Sequence, residues 1–360
     1  MNKIELPKYV YTGPLITFQL VNILYAMGYH KGRIAIVTGS SFTKKIGLDL
    51  IKPKIENEGI EVIDVNIEDF NELIKNLEEK KNKIKENNVK LLIGIGGGKV
   101  IDSTKILSSI LNIPYISYPT NSSHDGISSP TFSFLAYLKL KSKYNFGYNL
   151  KPPLAIVADT SIIAQSPPEY IYAGIGDLMA KITAVRDWRL ANLLKGEEYS
   201  EYAASMALMS AKIIEKNIDV IVKNKEKAVA IIIKALIGSG IAISVAGSTR
   251  PASGSEHLFS HALDLLAERE GFKPSMHGMQ CGIGTIIMSK LHNLNWIKIK
   301  NILKKAGLPT NAEELGIEPK YLIKALMMAN QLRKDRYTIL GDSEISYNSA
   351  EKLLRETEII

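Results

Sequence analysis

The sequence predicts an α/β protein with two domains: an N-terminal Rossmann-like domain with a parallel sheet, and an all-α C-terminal domain. Short apolar runs alternate with helical patterns in the first part of the chain, whereas long helical periodicity dominates the rest. The length of 360 residues is enough for two domains. Ligands commonly bind where two domains meet, so we expect the active site in the interdomain cleft.

The N-terminal domain is predicted from five short apolar segments that have the character of buried strands. They occupy residues 33–39, 59–65, 89–95, 113–119 and 154–158. Helical patterns lie between them, for example over residues 70–87. Strands that alternate with helices predict a parallel sheet with helices on its faces. We therefore place an α/β domain at residues 1–162.

The C-terminal domain is predicted from apolar residues that recur at helical spacing. The helical segments are 177–193, 199–218, 225–236, 256–267, 278–291 and 321–333. The longest apolar stretch, 228–245, contains Lys234, Gly238 and Gly240. It is therefore interpreted as a buried core helix, with a membrane span as the alternative. We place this helical domain at residues 163–360.

Composition narrows the function classes. The formal charge is +8, but the lysines are interleaved with glutamates, which is typical of solvated helix faces. The positive excess also suits an enzyme with anionic substrates. A single cysteine, Cys281, excludes an intramolecular disulfide and fits a reducing compartment. Because the N-terminus carries no apolar run, we expect a cytoplasmic protein with no membrane insertion.

A glycine-rich turn follows the third predicted strand. The run GGGKVID at 96–102 passes from that strand into a predicted helix. Such a turn presents backbone N–H groups to a pyrophosphate, and glycines let the phosphate approach closely. The run is not a Walker A motif, because neither Ser nor Thr follows Lys99. A tight turn without a ligand is the alternative.

A candidate metal site comes from one aspartate and the late histidines. His257 and His261 are four residues apart in a helical pattern and share one face, and His277 follows. Asp177 opens a predicted helix. One Asp and two His suit Zn²⁺ and leave a coordination position open for substrate, although Fe²⁺ could use the same set. The alternatives are an N-cap role for Asp177 and buried core histidines.

These motifs together resemble one superfamily, the iron-containing alcohol dehydrogenase, glycerol dehydrogenase and dehydroquinate synthase group. The glycine run with Asp102 and Lys105 resembles its GGGxxxDxxK signature. Within this group the chain is most similar to the archaeal sn-glycerol-1-phosphate dehydrogenase family. The stretches that carry this resemblance are 119–130, 174–181, 254–264, 276–282 and 335–340.

The resemblance implies a metal-assisted, NAD(P)H-dependent reduction of dihydroxyacetone phosphate to sn-glycerol-1-phosphate, which supplies the backbone of archaeal membrane lipids. It implies zinc at Asp177, His257 and His277, and substrate contacts at Asp125, Asp177 and His261. It assigns no role to His124. The implied cofactor-binding residues are Gly97, Gly98, Lys99, Val100, Ile101, Asp102, Thr120, Asn121, Ser122, Ser123 and Ser129.

Further roles follow from the same resemblance. Relatives strict for NAD often carry an Asp just after the first strand, but here Gly39 is followed by two serines. The absence of an acid favours NADPH as well as NADH. In catalysis, His261 would bond the substrate or relay a proton, and Asp125 would accept a bond from a substrate hydroxyl. The resemblance names no phosphate ligand; Arg250 is the candidate for the substrate phosphate because of its charge and its position just before the predicted metal-binding helix.

Two alternatives remain open. A glycerol or other polyol dehydrogenase of the same superfamily would use the same motifs on an unphosphorylated substrate. A basic nucleotide-binding protein without catalysis would bind DNA or anionic vesicles in a salt-dependent manner, but it leaves the Asp and His residues unexplained. We expect a small-molecule substrate, no nucleic-acid partner and a homo-oligomer.

Overall fold

A computed structural model describes residues 4–141, 144 and 150–360, and these divide into two compact units. Unit 1 comprises the residues up to Ser122 together with Gly126–Pro167. Unit 2 comprises Ser123–Asp125 and Pro168–Ile360. The domain boundary that the sequence predicts, between residues 162 and 163, falls inside a short helix of unit 1. The assignment of Ser123–Asp125 to unit 2 is not predicted by the sequence.

Unit 1 is built on a parallel sheet. Its strands are β1 (Tyr9–Gly13), β2 (Arg33–Thr38), β3 (Glu61–Asn66), β4 (Val89–Gly96), β5 (Tyr115–Pro119) and β6 (Ala155–Asp159). Within the described residues the sheet has six strands in the order β1-β6-β5-β4-β2-β3, and every neighbouring pair is parallel. The predicted parallel sheet and its five predicted strands are confirmed.

The edge strand β1 is not predicted by the apolar pattern. It pairs only with β6 among the described strands, with Tyr9 opposite Ala155. Its residues are half-buried or exposed, and Val10 is 45% exposed. A strand at the edge of a sheet needs no continuous apolar run, so this segment lacks the signal that identified the central strands.

Helices cover both faces of the sheet in unit 1. Ile34 and Ile36 of β2 belong to one buried cluster, whereas Ala35 and Val37 belong to a second. Because successive strand residues point to opposite faces, both faces are buried. The helices are α1 (Leu20–Ala26), α2 (Ser41–Lys44), α3 (Lys52–Glu56), α4 (Phe70–Lys75), α5 (Leu77–Glu86), α6 (Gly98–Leu111), α7 (Phe134–Leu140) and α8 (Thr160–Ile163). Shorter turns are the 3-10 turns Ile16–Gln19 and Asp125–Ile127 and the π-helical turn Lys45–Ile51.

Unit 2 is helical, which confirms the predicted all-α region. Its helices are α9 (Pro168–Met179), α10 (Lys181–Lys195), α11 (Glu201–Lys223), α12 (Lys225–Ala246), α13 (Ser255–Glu270), α14 (His277–Leu291), α15 (Trp296–Lys305), α16 (Ala312–Leu315), α17 (Pro319–Ala329) and α18 (Tyr347–Glu356). Because α9 begins at Pro168, Asp177 lies near the end of that helix. Both the predicted helix start at Asp177 and its N-cap alternative are therefore wrong.

Helix α12 contains the longest apolar stretch. Its 22 residues are long and apolar enough to cross a membrane, yet 67% of its most apolar window is buried inside the fold. It packs against α11 and ends at Gly247, whose φ of +64° suits glycine. This agrees with the predicted core helix.

Candidate active site

The glycine turn of unit 1 forms a helix start directly after a strand. β4 ends at Gly96, Gly97 caps α6, and the helix begins at Gly98. The first N–H groups of a helix have no intrahelical partners, and the helix dipole favours an anion there. Val100 and Ile101 are buried, and the N–H of Ile101 already donates to the carbonyl of Gly97 at 3.1 Å, so the N–H groups open to a ligand are those before it.

The glycines also let two predicted cofactor segments meet. A Cβ atom on Gly97 would lie 2.4 Å from Nδ2 of Asn121, and one on Gly96 would lie 2.5 Å from Cβ of Val100. The N–H of Thr120 donates to the carbonyl of Gly96 at 3.0 Å. The close approach of backbone and amide requires glycine at 97, and it brings the segment after β5 against the turn after β4.

Two serines of the loop after β5 differ in their partners. Oγ of Ser122 is buried and has no hydrogen-bond partner within the part of the chain that the structure describes. Buried hydroxyls are rarely left so, which makes this one available to a bound ligand. Oγ of Ser129 pairs with Oγ1 of Thr131 at 3.0 Å. A nucleotide at the adjoining turn therefore fits the residues present.

Asp102 and Lys105 of the signature brace the same loop. Lys105 is fully buried, and its Nζ donates to Oδ1 of Asp102 at 3.2 Å, to the carbonyl of Gly126 at 2.9 Å and to that of Thr131. Oδ2 of Asp102 accepts from the N–H of Ser133 at 2.9 Å. The carboxylate of Asp102 thus holds the loop, and the cofactor role of this residue stays a prediction.

Gly39 is buried after β2 and has little space around it. A Cβ atom there would lie 2.9 Å from Cγ2 of Val100 and 3.2 Å from the carbonyl of Ile67. An acid at this position would therefore disturb the packing of α6. The neighbouring residue, Ser40, is exposed. The cofactor role of Gly39 stays a prediction.

In unit 2 the structure brings the three predicted metal ligands together. Asp177 lies on α9, His257 on α13, and His277 is the first residue of α14. Nε2 of His257 is 3.5 Å from Oδ1 of Asp177, and the ring centroids of His257 and His277 are 5.0 Å apart. Residues up to 100 positions apart in sequence therefore come close together, with Asp177 and His257 buried and His277 half-buried.

A pair of glycines makes this convergence possible. A Cβ atom on Gly176 would lie 1.9 Å from the carbonyl oxygen of Gly278, and one on Gly278 would lie 1.8 Å from that of Ala173. Helices α9 and α14 therefore cross backbone to backbone. Each glycine is adjacent to a predicted ligand, Asp177 or His277, so the crossing sets these two side chains side by side.

Hydrogen bonds fix the orientation of both histidines. Nδ1 of His257 lies 2.8 Å from a carboxylate oxygen of Glu256. Nδ1 of His277 lies 3.0 Å from Oγ of Ser260, which itself donates to Oε1 of Gln280 at 2.8 Å. A proton on Nδ1 of each ring would leave a lone pair on Nε2, the arrangement in which a histidine binds a metal ion. Such outer partners are typical of metal-binding histidines, so this set fits a metal ion.

A buried lysine joins the two acidic residues. Nζ of Lys181 lies 2.9 Å from Oδ1 of Asp177 and 3.0 Å from Oδ2 of Asp125. The N–H of Asp125 donates to Oδ2 of Asp177 at 2.9 Å, and Oγ of Ser239 donates to Asp125 at 2.7 Å. Burial opposes charge on Asp177, but Lys181 and His257 lower its pKa below the ordinary value. Lys181 was not predicted, although its i, i+4 spacing from Asp177 is a signal.

His261 lies beside the proposed ligands. It is 9% exposed, and its ring centroid is 5.7 Å from that of His277. Burial, and then the charges of His277, His257, Arg333 and Arg336, hold the pKa of His261 well below its usual range. The imidazole is therefore neutral near pH 7 and offers one donor and one acceptor.

Comparisons with known proteins bear on the whole chain. The family model described as iron-containing alcohol dehydrogenase matches residues 13–167. The chain is 43% identical over 360 residues to an NAD(P)+ glycerol-1-phosphate dehydrogenase of Pyrococcus horikoshii, covering 100% of both proteins. It is 45% identical over 357 residues to one from Saccharolobus islandicus, covering 99% of this chain and 98% of that protein. The chain belongs to the glycerol-1-phosphate dehydrogenase family.

Solved structures support the fold. A glycerol dehydrogenase of Schizosaccharomyces pombe matches with a TM-score of 0.76 at 18% identity, over 99% of this chain and 90% of that one. An iron-containing alcohol dehydrogenase of Thermococcus thioreducens matches with a TM-score of 0.70 at 17% identity, over 99% of both chains. This glycerol-1-phosphate dehydrogenase family member therefore has the fold that its resemblance implies.

Cys281 is a residue of this family member whose place beside the histidines the sequence did not predict. Its Sγ is 3.6 Å from Nε2 of His277, and the ligand atoms of Cys281, His257 and His277 lie within 4.8 Å of one another. The signal is the i, i+4 spacing from His277 on α14. Burial raises the pKa of the Cys281 thiol, whereas only a thiolate binds metals well. Cys281 is therefore a second candidate for the third ligand beside Asp177.

A second group of candidate ligand atoms lies on the other side of His277. Those of His261, Asp264 and His277 also lie within 4.8 Å of one another. Burial raises the pKa of Asp264 to about 7, and its hydrogen bond from Gln280 only partly opposes that shift. A carboxyl group that is half protonated at neutral pH is a poorer ligand than Asp177.

Arg250 does not have the surroundings expected of a phosphate ligand. Its guanidinium forms a two-point ion pair with Glu197, with Nε at 2.5 Å from Oε1, and Nη1 donates to the carbonyl of Tyr337 at 2.8 Å. The side chain is 3% exposed. Its charge is matched within the fold, which argues against the predicted contact with the substrate phosphate.

Proposed function

We propose that this chain reduces dihydroxyacetone phosphate to sn-glycerol-1-phosphate with NADPH or NADH, using one zinc ion held by Asp177, His257 and His277. Fe²⁺ is the alternative ion, since it accepts the same ligands. One observation carries the proposal: contacts at Nδ1 orient His257 and His277, and Nε2 of His257 lies 3.5 Å from Oδ1 of Asp177. The full-length similarity to glycerol-1-phosphate dehydrogenases supports the choice of substrate.

When bound, the metal supplies Lewis-acid polarisation of the substrate carbonyl. The residues around it set the charge of the site. Lys181 balances the negative charges of Asp125 and Asp177 and holds both carboxylates in place. Asp125, anchored also by Ser239, would accept a bond from a substrate hydroxyl.

His261 acts on the substrate and not on the metal. Its neutral ring can donate a hydrogen bond to the substrate oxygen that gains negative charge, or pass a proton to it. It shares a helix face with His257, and the two ring centroids are 6.2 Å apart. This separation suits one side chain on the metal and the other on a substrate bound to it.

The nicotinamide cofactor, when bound, supplies the hydride. The N–H groups at the start of α6 would bind its pyrophosphate. The buried hydroxyl of Ser122 would form a hydrogen bond with the cofactor. The full set of cofactor residues that we propose is Gly39, Gly97, Gly98, Lys99, Val100, Ile101, Asp102, Thr120, Asn121, Ser122, Ser123 and Ser129. Cytoplasmic location, a role in lipid-backbone synthesis and a homo-oligomer are part of the same proposal.

The proposed reaction is tested by following NADPH or NADH oxidation with dihydroxyacetone phosphate and determining the stereochemistry of the product. We expect sn-glycerol-1-phosphate, and a kcat/KM for dihydroxyacetone phosphate about 10²-fold or more above that for dihydroxyacetone, since charge-assisted bonds to phosphate are strong. In the reverse direction, glycerol-1-phosphate should outcompete glycerol. A preference for glycerol would instead establish the polyol dehydrogenase alternative.

The role of His261 gives a second prediction. His261→Ala should keep the metal and the cofactor but lower kcat by about 10²–10⁴-fold, which is the usual contribution of a positioned acid–base group. Metal content of the purified variant is measured beside its turnover. Loss of the ion would instead make His261 a ligand, and full metal with an unchanged rate would exclude it from the reaction.

A further inference from the structure

Arg333 and Arg336 lie in one turn that follows α17. The N–H of Arg336 donates to the carbonyl of Arg333 at 2.9 Å, which closes the turn. Helix α17 packs against α13, the helix that carries His257 and His261. The turn that follows α17 therefore lies near the proposed reaction site.

Arg336 is bound to the loop that leads into α13. Its Nη1 donates to the carbonyl of Ser253 and its Nη2 to Oγ1 of Thr249. The residue is 7% exposed. Because Ser253 precedes His257 by only four residues, this anchorage fixes a positive charge beside the first turns of α13.

The loop that Arg336 binds also reaches the proposed metal site. Nζ of Lys181, which is bonded to Asp177, lies 3.3 Å from the carbonyl oxygen of Ala252, the residue before Ser253. Arg336 and Lys181 therefore bind neighbouring carbonyl groups of one short loop.

Arg333 forms an ion pair at the protein surface. Its Nη2 is 3.1 Å from Oδ2 of Asp335, whose side chain is 72% exposed. Exposed ion pairs contribute little and are readily exchanged for a better partner. A dianionic phosphate would compete with Asp335 for this guanidinium, whereas the pair between Arg250 and Glu197 is held at two points and buried on the arginine side.

We propose that Arg333 and Arg336 form the subsite that binds the phosphate group of the substrate. This inference rests on the proposed function and names its phosphate ligands. Guanidinium groups match phosphate oxygens in bidentate geometry, and two of them from one turn would contact adjacent faces of the group. In dihydroxyacetone phosphate only a methylene and an ester oxygen separate the carbonyl from the phosphate. A phosphate at this turn therefore leaves the carbonyl near His261.

The test uses Arg333→Gln and Arg336→Lys in the full-length enzyme, with Arg355→Gln as the control. Arg355 lies on α18, paired with Glu351 at 2.7 Å and 64% exposed at its side chain. Each subsite variant should lower kcat/KM for dihydroxyacetone phosphate by about 10- to 10²-fold, the value of a lost bond to a charged group. The loss for unphosphorylated dihydroxyacetone should be smaller, because that substrate lacks the phosphate, so the ratio of the two kcat/KM values should fall by about 10-fold or more. Arg355→Gln should leave both values within about twofold of the parent enzyme.

Binding of inorganic phosphate, measured by calorimetry, separates this proposal from the proposed function. The parent enzyme and Arg355→Gln should bind it, and both subsite variants should lose most of that affinity. If phosphate binding depends on the two arginines but dihydroxyacetone phosphate is no substrate, the subsite stands and the proposed reaction fails. Equal losses with both ketones, or unchanged phosphate binding in a folded Arg333→Gln protein, would overturn the subsite.

Discussion

Gly278→Ala should destroy the metal site. The added methyl group would lie 1.8 Å from the carbonyl oxygen of Ala173 and 2.5 Å from its carbonyl carbon, so backbone must move. Overpacking of this kind typically costs about 1–3 kcal/mol of unfolding free energy or more. A shift of about 1 Å between α9 and α14 would separate Asp177 from His277, and misplacement on that scale can cost about 10²-fold in rate.

The measurements are metal content, thermal unfolding and turnover of the purified variant. Gly238→Ala is the matched control, because a Cβ atom on that glycine of α12 meets only Oγ of Ser210, at 3.4 Å. In a helix interior, Ala is favoured over Gly by about 1 kcal/mol, so the control should be as stable as the parent or more so. Full metal and normal activity in Gly278→Ala would contradict the close crossing of the two helices.

His257→Ala should remove the metal ion and nearly all activity while the fold persists. The side chain supplies one of three proposed protein ligands, and its Nε2 faces Asp177. Lewis-acid stabilisation is worth several kcal/mol, so turnover should fall by about 10³-fold or more. Metal analysis and circular dichroism of the purified protein check the two parts of this result.

Cys281→Ala is the matched control for the ligand assignment. Sγ of Cys281 lies 3.6 Å from Nε2 of His277, close enough for both atoms to bind the same metal ion. If Asp177 is the third ligand, this variant should keep its metal. If metal is lost from Cys281→Ala and retained in Asp177→Asn, the thiol replaces the carboxylate in the ligand set. A His257→Ala protein with stoichiometric metal would refute the site altogether.

The sequence indicated the fold through local patterns. Central strands such as β2 and β4 are buried on both faces, so their apolar runs appear in the sequence itself. The edge strand β1 has no such run, because one side of it has no partner strand among the described residues and Val10 is 45% exposed. The start of α9 was predicted wrongly for a different reason. Asp after Gly resembles a helix N-cap, but the helix that contains Asp177 begins at Pro168.

The residue types of the metal-binding side chains were also evident from the sequence, whereas the residues that surround them were not. Asp177 and the late histidines are residue types that bind zinc, which indicates a metal site, and the family resemblance selected Asp177, His257 and His277 as the set. Lys181 pairs with Asp177, and Glu197 pairs with Arg250. Sequence spacing alone could not show which charged residues would form these pairs.

By itself, then, the sequence determined what depends on neighbours along the chain: the alternation of strands and helices, the glycine turn before α6, and the histidines one helical turn apart. Only the tertiary structure decided which distant residues meet. Gly176 and Gly278 cross because neither has a side chain, and that contact, over a hundred residues apart in sequence, sets the ligands together. Apolar periodicity shows which face of a helix is buried, but it does not show which other helix packs against that face.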